Sequence, residues 1–344
     1  MNLARSQGGF AILAEKPKVL FMELSGNKPF PDASVIRVAS EGSELTSVTD
    51  INAALASLHH QKNLSLIISN AADFDFFKAC RMHQPHATTV LLTDHTMEQY
   101  SLRMRGEEHM LIDQVLANRA PSQWTINELR VTVQKIIRND FFGIEKYLAP
   151  ATPITKAAVT GSADREGLNS SVMHFAEQNR LGQYVSKLVF GITEELLMNS
   201  IYDAPIAGGA HHYNEMPRTM SVTLRPEEYS VLSYGCDGMV FAVSVTDPFG
   251  ALKKETLFRY LKKVLRRQDS SNLIDTKQGG AGLGLFKILY SAHSLVCNVH
   301  PKKQTEVMAL IDIHHQVRDF SRMTRSVSYF LEDESQLLIR AQAS

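Results

Sequence analysis

Four glycines within six positions, Gly279-Gly280-Ala281-Gly282-Leu283-Gly284, run directly into the apolar stretch Leu285-Phe286-Lys287-Ile288-Leu289. A loop of that composition can bring backbone amides up against phosphate oxygens, and the helix it feeds favours negative charge at its N-terminus. Alone the pattern is weak, because glycine turns also serve packing. Two earlier segments strengthen it. The first is Glu195-Leu-Leu-Met-Asn199-Ser-Ile-Tyr-Asp203; read as a helix, it places residues 195, 199 and 203 at i, i+4 and i+8 on one face. The rest of that helix is apolar (Ile192, Leu196, Met198, Ile201), so the polar row borders a core and calls for a partner. A carboxylate, an amide and a second carboxylate suit Mg²⁺, which takes few protein oxygens and completes its shell with water and phosphate. The competing reading is a solvated acidic face with a turn-capping Asn. The second segment is Asp247-Pro-Phe-Gly250, at the end of the strand-like run Val240–Thr246. A carboxylate there can accept a hydrogen bond from an exocyclic amine. The alternative for Asp247 is an Asx-turn before Pro248.

In this order and spacing the segments resemble the GHKL ATPase family, which includes the ATPase domains of sensor histidine kinases and anti-sigma-factor serine kinases. The resemblance covers roughly residues 160 to 315. It implies a Bergerat α/β sandwich binding ATP and Mg²⁺. By resemblance, Glu195 is the acidic residue near the transferred phosphate, Asn199 the Mg²⁺ ligand, and Asp203 stands where the family places His, Lys or Asp. Asp247 binds the adenine amino group, with Gly250 beside it. Gly280, Gly282, Leu283 and Gly284 belong to the glycine box under the phosphates, and Thr305 is a late-strand residue supporting adenine. The departures fall on the chemistry: Phe249 and Ala251 occupy positions where the family has glycines, and Pro205 follows the Asn199 helix where many histidine kinases offer a cation.

Residues 252–278 read as a lid, with Leu257, Phe258, Leu261, Val264 and Leu265 at helical spacing and Lys and Arg on the other face. The alternative there is a solvated basic face.

The first part of the chain has a different pattern. Lys18–Met22, Leu64–Ile68 and Thr89–Leu92 are apolar runs suited to buried parallel strands, alternating with helical stretches near 50–60, 73–83 and 125–138. This predicts a doubly wound α/β domain that resembles a response-regulator receiver. The acidic cluster of a working receiver is replaced by Glu23, Ser69-Asn70, Thr93 and Ala120-Pro121, and Asp73 and Asp75 fall on the following helix. A pseudo-receiver acting through surface contacts is expected.

The expected organisation is an extension (1–16), a pseudo-receiver (17–140), a linker with Pro150 and Pro153 (141–160), a GHKL domain (161–315) and a tail (316–344). There is no room for an acceptor-histidine hairpin, and His174 lacks the acceptor motif. The 344 residues balance 36 Lys and Arg against 36 Asp and Glu, which disfavours a nucleic-acid partner. No run near eighteen apolar residues is present, so no membrane span is expected. Three scattered cysteines (80, 236, 297) argue against disulfides or zinc and for a reducing compartment, and the adjacent histidine pairs 59/60, 211/212 and 314/315 make poor metal ligands. The expectation is a cytoplasmic, bacterial signal-transduction regulator of two-component type. It binds ATP–Mg²⁺ and phosphorylates a protein partner on serine or threonine; the alternative is a catalytically weak pseudokinase scaffold. A signalling protein and a second copy of the chain are the expected partners. A dinucleotide enzyme is disfavoured, because no strand leads into Gly-x-Gly-x-x-Gly with an acidic residue beyond it.

Overall fold

The computed structural model describes residues 15–24, 33–96, 99, 108–119, 123–210, 221–267, 283–313 and 323–332. It is a mixed α/β structure, and among the described residues the strands join into one eleven-stranded sheet. In chain order the strands are β1 (Lys18–Met22), β2 (Glu44–Val48), β3 (Leu64–Ser69), β4 (Thr88–Thr93), β5 (Gln114–Ala117), β6 (Ile154–Val159), β7 (Ser230–Cys236), β8 (Val240–Asp247), β9 (Ser294–His300), β10 (Gln304–Asp312) and β11 (Ser326–Leu331). Across the sheet they lie in the order β2-β1-β3-β4-β5-β11-β9-β10-β8-β7-β6.

The first five strands are parallel. Their connections include helices α1 (Ala33–Ala39), α2 (Ile51–His60) and α3 (Phe74–His83), and α4 (Gln123–Arg138) follows β5. β3 is buried on both faces, as a parallel strand covered on each side requires. Its Ile67 packs with Phe76, Phe77 and Cys80 of α3, and its Leu66 and Ile68 with Leu129 and Val133 of α4. Asp73 caps α3 by accepting from the Phe76 amide (3.0 Å), and Asp75 lies in the first turn, where acidic side chains suit the helix dipole. Asn70 accepts from the Leu24 amide (2.9 Å), and Ala120-Pro121 lies outside the described residues.

The second half is an antiparallel run, β9-β10-β8-β7-β6. Its residues alternate by face. Phe241, Val243, Leu295, Cys297, Ala309 and Ile311 pack under α5 (Arg165–Gln178), α6 (Gln183–Met198) and α9 (Leu283–Ser291). Val240, Ala242, Val296, Met308 and Leu310 point to the opposite face, covered by α4 and by Phe141, Ile144, Tyr147 and Leu148. The 141–160 stretch therefore has structure of its own, half as cover for the sheet and half as β6.

β11 closes the gap between the two halves. It is antiparallel to β5 (Val327 opposite Val115) and parallel to β9 (Val327 opposite Leu295). Gln114 reaches across to donate to the Tyr329 carbonyl at 2.9 Å. Two strand edges that would otherwise be exposed are thus paired by residues from the C-terminal segment.

Candidate nucleotide site

Helix α6 buries Val189, Ile192, Leu196 and Leu197 against the sheet and leaves Glu195 at its margin, 18 % exposed. An unbroken α-helical row through residue 203 was the expectation. The α-helix instead ends at Met198, and Asn199–Asp203 forms a π-helical turn in which the Ala204 amide bonds to the Asn199 carbonyl. Pro205 supplies the physical reason. It has no N–H to return to residue 201, and its ring would crowd that carbonyl, so the chain widens by one residue and restarts as the short helix α7 (Ala204–Ala207) with Pro205 in its first turn. Asp203 consequently leaves the strict i, i+4, i+8 stripe.

The first turn of α9 sits on Glu195 and Asn199. A Cβ placed on Gly284 would lie 2.8 Å from Glu195 Oε2 and 3.0 Å from Asn199 Oδ1, so glycine allows this approach with neither side chain displaced. One turn on, Lys287 Nζ pairs with Glu195 Oε1 at 2.5 Å. Asn199 Nδ2 is buried with no hydrogen-bond partner among the described residues, an arrangement that costs about 1–3 kcal/mol unless something fills it. Leu283 opens α9, while Gly280 and Gly282 lie outside the described residues.

Asp247 and Thr305 are cross-strand neighbours at the ends of β8 and β10. Asp247 is buried; it accepts from the Phe249 amide at 2.9 Å, and from the Gly250 amide and the Thr305 hydroxyl. The bond to Phe249 is the Asx-turn of the alternative reading. Burial pushes the Asp247 carboxyl up to about 6, and those three donors only partly offset it. Because the folded state holds this proton more tightly than the unfolded chain, its contribution to stability is full below about pH 4 and is lost as pH rises through 6. Wild type should therefore lose about 2–3 kcal/mol relative to Asp247→Asn between pH 4 and pH 7 in urea titrations. Parallel stability curves would show that the carboxyl is not desolvated.

Gly250 has φ +59°, and the space its side chain would need is filled by the β9–β10 turn, with the His300 carbonyl 2.1 Å from an added Cβ. Its direct role is thus backbone packing. Phe249, where the family resemblance expects glycine, fills the space above Gly208: a Cβ there would fall 2.4 Å from its ring.

The structure brings Glu195, Asn199 and Gly284 together, and Asp247 with Thr305, on elements that pack on one another: α9 against α6, and α6 against β8. Lys287 was not legible from sequence, since it lies 92 positions from Glu195 and looks like one charge in an apolar helix. A crevice of about 1390 Å³ lies elsewhere, between the two halves. Arg81, Asp113, Phe249, Lys254, Tyr329 and Phe330 line part of it.

No protein-family model matches the chain. No curated protein matches it. Among solved structures, it is similar to an adenylate cyclase from Rhodopirellula baltica at 14 % identity, over 38 % of this chain and 90 % of that one. The TM-score is 0.27, a likeness too low to bear on fold or function here.

Proposed function

We propose that the second half is a nucleotide-binding unit of GHKL type, joined to a receiver-like first half without a phosphorylation site, and that the protein is a cytoplasmic signalling regulator whose output is binding of a partner protein. The observation that carries this reading is the seating of the α9 N-terminal turn, through Gly284, on the Glu195–Asn199 row. The fit to ATP and Mg²⁺ rests on chemistry present in these residues. Asn199 carries a buried, unpartnered Nδ2, a donor suited to a phosphate oxygen, and its amide oxygen is the kind of single protein ligand that Mg²⁺ needs. Asp247, buried beside Thr305, has the acceptor character an adenine amino group needs. Bound Mg²⁺–ATP would supply the transferable phosphoryl group and the charge neutralisation that such transfer depends on.

Two readings of the output follow, kinase and scaffold. The Lys287–Glu195 ion pair favours the scaffold, because a carboxylate committed to an ammonium ion is a poor general base. Lys287 also places a cation beside the row, from α9 rather than from the Pro205 position where the resemblance lacks one.

The test is titration of the protein with ATP and GTP, with and without Mg²⁺, alongside Asn199→Ala and Asp247→Asn. Mg²⁺-dependent ATP binding is expected, with GTP excluded and affinity lowered at least tenfold in each variant. Affinity should also weaken as pH falls below about 6, where Asp247 gains a proton and loses its charge-assisted bond. Absence of ATP binding by the wild-type chain would overturn the proposal.

A further inference from the structure

The helix expected from sequence as the lid, α8 (Lys254–Arg267), is anchored by the other half of the molecule. Its first residue, Lys254, is nearly buried, and its ammonium donates to the Met110 carbonyl at 2.8 Å and to Asp113 Oδ1 at 2.7 Å. Asp113 lies at the entry to β5. Its other oxygen takes Arg81 of α3 at 2.5 Å and the Thr89 amide of β4 at 2.8 Å. Two residues before Lys254, the Leu252 carbonyl accepts from the Tyr329 hydroxyl of β11 at 2.9 Å. Burial would push the Asp113 carboxyl up, but the Lys254 ammonium and the Arg81 guanidinium outweigh it and hold the group below the usual range, so this is a charged, paired carboxylate.

The chain between Asp247 and Lys254 is six residues long and includes Pro248 and Gly250, whose left-handed φ of +59° only glycine adopts without penalty. A shift at Lys254 therefore has little slack before it reaches Asp247. Residues 248–255 also line the crevice between the halves, so one side of this segment faces open space, while Leu257, Phe258 and Leu261 further along α8 are packed in the core.

We propose that Asp113 is a positioning residue for the nucleotide site, acting through Lys254: the first half sets where α8 begins, and a change at β4, β5 or α3 reaches the site by loosening this anchor. The inference rests on the nucleotide reading above. It assigns the receiver-like half a mechanical role that needs no phosphorylation, and it makes the Asp113–Lys254 contact one coupling point between halves that also share a sheet.

The experiment uses the full chain with Lys254→Met, which keeps the stem and leaves Asp113 paired with Arg81, and with Lys254→Arg as the charge-conserving control. Amide hydrogen exchange and ATP affinity are read on each. In the Met variant, exchange in residues 252–261 should speed at least tenfold while β4 and β9 stay protected, and ATP affinity should change at least threefold; the Arg variant should restore both. Unchanged protection of 252–261 would overturn the anchor, and so would acceleration of all segments together, which marks general destabilisation. A loosened α8 with unchanged ATP affinity would overturn the positioning role alone. Failure of wild type to bind ATP would remove the nucleotide reading and, with it, the role of Asp113 toward that site.

Discussion

Raising the pH from 7 to 9 is expected to stabilise the wild-type protein by about 2 kcal/mol relative to a Lys135→Met variant. Lys135, on α4, is buried beneath the sheet, where its ammonium donates to Asn298 Oδ1 (2.9 Å) and the Tyr147 hydroxyl (3.3 Å) and lies 3.8 Å from the centre of the Phe330 ring. Asn298 passes the contact on to Glu306 (2.8 Å), which also accepts from Ser244 and from the Gly143 amide (both 2.9 Å). Burial drives the Lys135 ammonium down to about 7, and the Glu306 carboxylate only partly resists. The unfolded chain keeps its proton up to the ordinary lysine value near 10.5, so between 7 and 10.5 it binds more protons than the folded state. Stability accordingly rises with pH across that window and is lost as pH falls back through 7. The methionine variant has no such group, and the difference between the two urea titrations isolates it. Parallel curves would mean that the ammonium is reached by water.

The second large effect is expected at Gly250→Ala, a loss of about 2–5 kcal/mol in chemical denaturation. Two causes add. The residue sits at φ +59°, where a β-carbon is disfavoured, and that β-carbon would meet the His300 carbonyl at 2.1 Å, the Lys302 nitrogen at 2.6 Å and the Lys303 nitrogen at 2.8 Å. These are backbone atoms of a turn that also bonds back to the Gly250 carbonyl, so they cannot yield as a side-chain tip would. Gly42→Ala separates the two causes. It has φ +90° with nothing within 4 Å of the added carbon, so it should show the conformational penalty alone, about 1–2 kcal/mol. Equal losses at both positions would show that the clash at Gly250 relaxes without cost.

Apolar periodicity made several elements readable. Lys18–Met22 matches its expected run residue for residue, and α2 and α3 fall where the helical stretches were expected. The elements that escaped share one property: they are short, or stabilised from far along the chain. β2 (Glu44–Val48) is a half-exposed edge strand whose Glu, Thr and Ser dilute any apolar signal. β6 follows Pro153 in a stretch that reads as connective. β11 is a case between the two: Ser326–Leu331 reads as either an added strand or a partner-binding tail, and the vacant edges of β5 and β9 decide for the strand.

At the candidate site the same division holds. Glu195, Asn199, Asp247 and Gly284 are readable from sequence because each lies in a short local pattern, whereas Thr305 rests on the family resemblance alone. The π-helical turn is not readable, although its cause, Pro205, is in view, because proline can kink, break or widen a helix and the surrounding packing chooses among these.

By itself the sequence determined the α/β character of the chain, the strands with unbroken apolar runs, and the cluster of polar and glycine residues in the second half. Those properties come from periodicity and side-chain chemistry over a few residues. Tertiary structure alone decided that the two halves share one sheet through β11, that Lys287 neutralises Glu195, and that α8 starts on Asp113. The physical reason is that, apart from the β11–β9 pairing, these contacts join residues 92 to about 215 positions apart. At such separations nothing in the local pattern names the partner, and the pairing emerges only when strand edges and buried charges are satisfied together across the whole fold.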